Sequence, residues 1–177
     1  MRTAAADRIG LIFSLLDADG TGHLEVADFE LMANRVVLAA PESEEREKRA
    51  MTAAFRRYWT TLAAELDTDG DNRISFDEYA ACVLSPQRFD STARDFAEAL
   101  AALGDPDGDG LVERHVFVAL MSAIGFDRGN IHSLFDAFEP TPGDQITVTA
   151  WIAGIEDYYR PDKTGIPGDH LVGAASA

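Results

Sequence analysis

Apolar stripes at helical spacing alternate along the chain with short acidic stretches. Ile9, Ile12, Phe13 and Leu16 recur at intervals of three and four residues, which predicts a helix with one buried face. Comparable faces are Phe55, Trp59, Leu62 and Leu66, then Phe96, Leu100 and Leu103, then Ile131, Leu134, Phe135 and Phe138. The first three stripes run into Asp- and Gly-rich segments at residues 17–22, 67–72 and 105–110, and a fainter fourth copy spans 139–150. Eight residues into each segment stands one aliphatic residue: Leu24, Ile74, Val112 and Ile146. Five residues further on stands an aromatic one: Phe29, Tyr79, Phe117 and Trp151. This internal repeat predicts an all-α fold of four helix-loop-helix units. The aromatics would anchor the exiting helices, and paired loops would join through short antiparallel β bridges, with Ile146-Thr147-Val148 set against Leu111-Val112-Glu113.

Ser85-Pro86 should close the second unit, because the residue before proline is biased away from helix. The expected organisation is therefore a first pair of units in residues 1–85, with loops 17–28 and 67–78. A second pair follows in 86–160, with loops 105–116 and 139–150, and a tail in 161–177. Leu24 and Ile74 lie further apart than Val112 and Ile146, so residues 41–57 must lengthen the first connection, their charged run 42–49 forming a solvated helical face. Pro161, Gly165, Pro167 and Gly168 preclude a continuous helix in the tail, while Leu171 and Val172 stay apolar. The tail is expected to fold back onto a groove between the two halves.

Composition narrows the function. With 177 residues, 46% of them hydrophobic, the chain can bury one sizeable core or two small ones. A formal charge of -16, from 31 acidic and 15 basic residues, disfavours nucleic acid and anionic membranes and favours a cationic partner. Cys82 stands alone, so no internal disulfide forms. No signal-peptide pattern and no run of about 20 apolar residues is present, and a cytoplasmic monomer is expected. No nucleophile sits beside a base in a recognised motif. His115 and His170 lack partners at zinc-ligand spacing.

The acidic segments have the spacing a hard cation requires. Calcium takes six to eight oxygens, and a 12-residue loop supplies them from positions 1, 3, 5, 7 (through a carbonyl), 9 and 12. In the first loop these are Asp17, Asp19, Thr21, the His23 carbonyl and Asp28, the last one methylene shorter than the usual Glu. That shorter ligand suits a six-coordinate ion, so magnesium is expected to enter this loop as well. The second loop offers Asp67, Asp69, Asp71, the Arg73 carbonyl and Glu78, with Asn72 where glycine usually makes the turn. Asn tolerates the left-handed conformation, and this loop is expected to be the best calcium site. The side chains of His23 and Arg73 should point to solvent. The third loop has Asp105, Asp107, Asp109, the Leu111 carbonyl and Glu113 at position 9, but Val116 at position 12 cannot ligate. The fourth, with Glu139, Thr141, Gly143 and Ala150 at the ligating positions, should stay empty. Two or three calcium ions follow, with the third loop deciding between them. Trp59, in the helix entering loop 2, should report that loop, and Trp151 should report the second pair.

The segment 17–30, with its G-x-G core, its Leu24-Glu25-Val26-Ala27-Asp28-Phe29-Glu30 exit and Asp at position 12, resembles the sarcoplasmic calcium-binding protein and calerythrin group of EF-hand proteins. The long first connection is similar too. The resemblance implies a compact fold with some loops emptied of metal, acting as a calcium buffer or signal modulator. It departs from that group in its degenerate fourth loop and ligand-rich second loop. A calcium sensor that exposes a groove to a partner protein is the alternative, and an enzyme with a structural calcium a more distant one. Sensors line such a groove with methionine, whereas only Met32, Met51 and Met121 fall inside the expected fold, which favours the closed state.

Overall fold

The computed structural model describes residues 3–66 and 70–173. Its first half holds α1 (Ala4–Leu16), α2 (Val26–Leu38), α3 (Glu45–Leu66) and α4 (Phe76–Val83). The second half holds α5 (Pro86–Leu103), β1 (Leu111–Glu113), α6 (Arg114–Ile124), α7 (Arg128–Ala137), β2 (Gln145–Thr147) and α8 (Val148–Tyr158). A five-residue 3-10 turn, Pro167–Leu171, follows. Helix boundaries follow local chemistry. The Thr3 hydroxyl accepts from the Ala6 amide to start α1, the Asp127 carboxylate accepts from Asn130 N to start α7, and Pro86 opens α5, where its missing N–H costs nothing. Gly125, at φ 117°, ends α6 in the left-handed conformation that glycine adopts without strain.

The loops pair as the aliphatic positions foretell. Leu24 and Ile74 exchange backbone hydrogen bonds of 2.8 and 2.9 Å in a single bridge. Val112 pairs with Ile146 at the centre of the β1–β2 ladder, whose second strand is Gln145–Thr147 and so lies one residue earlier than the β-branched run suggests. Thr147 ends the strand because its hydroxyl caps α8 through Ala150 N. All four aliphatic residues are buried, as are Phe29, Tyr79, Phe117 and Trp151.

The two halves share one continuous core. Helix α3, 22 residues and about 33 Å long at 1.5 Å per residue, lies against α2 and across to α5, while α8 covers α5 from the other side. A buried hydrogen bond of 2.6 Å from Ser43 Oγ to the Leu103 carbonyl ties the approach to α3 to the end of α5. Met32, Met51 and Met121 are all inside. No helix of the described residues is long and apolar enough to cross a membrane.

At the centre three tyrosines from separate elements meet. Tyr58 of α3 lies 2.5 Å, oxygen to oxygen, from Tyr79 of α4 and donates at 3.3 Å to Tyr159, at the end of α8. Burial pushes the Tyr58 and Tyr79 hydroxyls well above the usual range, and it pushes Tyr159 up to about 12. An unfolded tyrosine ionises near pH 10, so between that value and the folded one the unfolded chain has lost protons the native state keeps. The tyrosines' contribution to stability should therefore be constant up to about pH 10 and fall steeply above it. The check is a series of melting temperatures from pH 8 to 12; a curve flat to pH 12 would contradict the buried triad.

Candidate metal centre

Loops 17–28 and 105–116 are built on the same hydrogen bonds. In the first, Asp17 Oδ1 accepts from Thr21 N at 3.0 Å and Oδ2 from Gly22 N at 2.8 Å, while Asp19 Oδ1 accepts from Thr21 N at 3.3 Å. In the third, Asp105 Oδ1 accepts from Asp109 N at 3.2 Å and Oδ2 from Gly110 N at 2.9 Å, while Asp107 Oδ1 accepts from Asp109 N at 3.3 Å. The side chain at position 5 then takes the amide at position 7: Thr21 Oγ1 accepts from His23 N, and Asp109 Oδ1 from Leu111 N. The second loop repeats this last bond, Asp71 Oδ1 accepting from Arg73 N at 2.9 Å.

Backbone handedness makes these turns. Positions 4 and 6 are left-handed in all three loops: Gly20 and Gly22 at φ 69° and 83°, Gly70 and Asn72 at 69° and 60°, Gly108 and Gly110 at 69° and 81°. Asn72 thus does the work of the glycine it replaces, because its short amide side chain tolerates that conformation. Asp67 and Asp69, the first two expected ligands of the second loop, lie outside the described residues.

At position 12, Asp28 Oδ2 accepts from Glu25 N at 2.9 Å, and Glu78 Oε2 accepts from Ser75 N at the same distance. Each caps its exiting helix while closing its loop. Oxygens of Asp17, Asp19 and Asp28 lie within 4.8 Å of one another, and so do those of Asp105, Asp107 and Asp109. Two oxygens bound to one calcium at 2.3–2.6 Å lie at most about 5 Å apart, so each cluster has the width of a single coordination shell. The donors are hard oxygens without thiolate or imidazole, which suits calcium or magnesium and not zinc. The residues present therefore fit the ion. Glu113 stands apart, its carboxylate 3.4 Å from His115 Nδ1.

Electrostatics point the same way. Burial raises the Asp28 carboxyl, only 3% exposed, against the lowering pull of the Glu25 amide, and the Asp19 and Asp17 charges raise it further. Burial also raises Asp105, where Asp107 and Asp109 add to the rise. Asp17 is held low because the Gly22 and Thr21 amides and Asp19 together outweigh its desolvation. A bound cation would offset the crowding in both clusters.

Four contacts correct or complete the sequence reading. Arg73 is half-exposed yet paired, its Nε 3.0 Å from Glu25 Oε1, so position 7 of the second loop is tied to position 9 of the first instead of pointing freely to solvent. His23 is half-buried, and its carbonyl accepts from Thr21 Oγ1 at 3.0 Å. Trp59 packs on Phe29, ring centroids 5.6 Å apart, beside the last ligand position of the first loop. It is placed to report that loop as well as its own. Trp151 rests on Phe117 and on Gly104, where a Cβ would come within 2.7 Å of its ring, immediately before Asp105.

The fourth loop carries a different cation. Arg114 Nε donates to both oxygens of Asp144 at 3.0 and 2.8 Å, Nη2 donates to Asp136 at 2.6 Å, and the guanidinium lies 4.4 Å from the Phe135 ring centroid. Glu139 and Asp144 both sit at positive φ. The loop is thereby shaped around Arg114 and its own 2.8 Å backbone bonds between Thr141 and Gln145 and between Asp144 and Thr141.

Comparison with known proteins agrees with this geometry. Residues 6–84 match the EF-hand domain pair. The first half of the chain thus matches an EF-hand pair, and the chain as a whole is similar to calcium-binding proteins. It is 23% identical over 168 residues to calerythrin of Saccharopolyspora erythraea, spanning 90% of this chain and 94% of that one. Among solved structures it resembles a Streptomyces coelicolor calcium-binding protein described as acting in calcium-mediated regulation, at 25% identity and a TM-score of 0.66 over 86% of this chain and 95% of that one. It also shares the fold of the amphioxus sarcoplasmic calcium-binding protein, at 16% identity and a TM-score of 0.68 over 99% and 100% of the two chains.

Asp28→Asn keeps an acceptor for Glu25 N but removes the buried charge of the first EF-hand loop. Calcium affinity at that loop should fall at least about tenfold, seen in Trp59 emission, with the Trp151 signal unmoved. Equal changes at both tryptophans would show that the two halves do not titrate separately.

Proposed function

We propose that this protein is a cytoplasmic, monomeric calcium buffer or signal modulator in which ion binding, with no chemical step, is the activity. The observation that carries this is the pair of three-aspartate clusters, each as wide as one ion's coordination shell and each held by inward-turned amides. In this reading Asp17, Asp19, Thr21, Asp28 and the His23 carbonyl hold one ion. Asp67, Asp69, Asp71, Glu78 and the Arg73 carbonyl hold a second, the tightest. Asp105, Asp107, Asp109 and the Leu111 carbonyl hold a weaker third, with Glu113, one oxygen of which lies 3.4 Å from His115, as its remaining ligand. The fourth loop takes none, Arg114 being its cation. The short Asp28, one oxygen of which already serves Glu25 N, supports six-coordination and hence magnesium in the first loop. The single shared core and its buried methionines support a closed protein over one that opens a groove on binding calcium.

Ion bound only to the native state should add about 2.7 kcal/mol per site at a hundredfold excess over its dissociation constant. The melting temperature should therefore rise with calcium and fall with chelator, and calorimetry should count two or three ions. Glu78→Gln should remove the tightest event, and Asp105→Ala only a weak one seen from Trp151. A melting curve indifferent to both chelator and millimolar calcium would overturn the reading.

A further inference from the structure

Arg8 of α1 is wholly buried, and every group that satisfies it comes from the far end of the chain. Its Nε donates to the Tyr158 carbonyl at 2.9 Å, Nη2 to the Arg160 carbonyl at 2.9 Å, and Nη1 to Asp169 Oδ1 at 2.7 Å. The Tyr158 hydroxyl donates back to the Arg8 carbonyl at 2.9 Å. The carboxylate that neutralises this guanidinium thus belongs to the tail.

The tail is seated by a short run of residues. Gly168 lies flat on the Tyr158 ring, where a Cβ would come within 2.7 Å of Cδ2. Asp169 meets Arg8 with one oxygen and braces its own turn with the other, which accepts from Ile166 N at 3.1 Å. Leu171 is buried, and its carbonyl accepts from Asn130 Nδ2 of α7 at 3.3 Å. Gly168 and Leu171 also help to close an apolar cavity of about 70 Å³ that reaches Ile12, Leu134 and Ile155. Between α8 and this turn, residues 161–165 are exposed, with Gly165 in the left-handed conformation. A small residue, a carboxylate and an aliphatic residue thus seat one tight turn, joined to the body by an exposed connection.

We propose that the groove between α1, α7 and α8 is a peptide-docking site, that the tail fills it as a tethered ligand, and that its partner is a protein segment carrying Gly-Asp-x-Leu. The chemistry of the occupant is set by Arg8. Being on a core helix, Arg8 cannot turn away to water, so an exchanged segment must bring its own carboxylate or leave a buried charge unpaired. The small residue is set by Tyr158 and the aliphatic one by the cavity. The inference is independent of which loops hold calcium, since it uses no ligand residue.

The test starts from the folded full-length protein carrying a specific protease site within residues 163–165. After cleavage, a fluorescent peptide of residues 166–173 is added and its anisotropy followed. Exchange into the groove is expected, with Asp169→Asn weakening the peptide at least tenfold. A peptide with unrelated flanks but the same Gly-Asp-x-Leu core should compete within tenfold of the tail peptide. Retention of the cut tail without exchange, unfolding on cleavage, or equal binding of the Asn peptide would each overturn the proposal. Concentration-dependent dimers of the uncut protein, joined by exchanged tails, would assign the groove to a second copy instead and overturn the partner.

Discussion

Carboxylates crowded into the width of one ion repel each other, and the rest of this protein can be understood as the frame that holds them there. The nearest support is backbone. Left-handed residues at positions 4 and 6 turn the amides of positions 5 and 6 inward onto the first aspartate, so that Asp17 and Asp105 each accept two such bonds. The next support is the bridge between loops, because Leu24–Ile74 and Val112–Ile146 fix each loop to its neighbour at the eighth residue. The last is burial of the aromatic that follows, which fixes the exiting helix and with it position 12. Each layer is needed because the one inside it is electrostatically unfavourable.

Arginine supplies fixed positive charge at three places where the frame needs it. Arg73 joins the two loops of the first pair through Glu25, Arg114 organises the fourth loop through Asp144 and Asp136, and Arg8 joins the two ends of the chain. The planar guanidinium suits all three because it donates in several directions at once and never loses its charge. The fourth loop shows the consequence most directly. Beyond Glu139 it has no carboxylate at a ligating position, yet β2 still pairs with β1 to complete the half that contains Asp105, and Arg114 from the neighbouring unit ties it to α7.

What the sequence reveals here is what local spacing controls. The four aliphatic–aromatic pairs, the break at Ser85-Pro86 and the left-handed Asn72 were legible because each depends on residues within one turn or one loop. Even the fold-back of the tail could be read, from its glycines and prolines beside two apolar residues. The three arginine contacts could not, because their partners lie 22 to 161 residues away and nothing in a single sequence marks them as pairs. Arg73 read as a solvent-facing side chain for that reason, and Trp59 read as a probe of its own loop although it packs on Phe29 of the preceding one. The Asp67–Asp69 part of the second loop rests on spacing alone.

The shared core has a consequence for how binding is felt. Tyr58, Tyr79 and Tyr159 bring together the helix entering the second loop, the helix leaving it and the end of the chain's last helix, and Tyr79 directly follows Glu78. A movement of Glu78 toward an ion would pull on a hydroxyl contact that also reaches Tyr159, one residue from the Tyr158 carbonyl on which Arg8 rests. Opening either half in the manner of a sensor would have to break that buried network or carry it along intact. A buried hydroxyl or guanidinium left without its partner is costly, which is why the network supports the proposed closed protein. Helix α1 is the one element that touches both sites, carrying Arg8 near its start and leading into Asp17 at its finish.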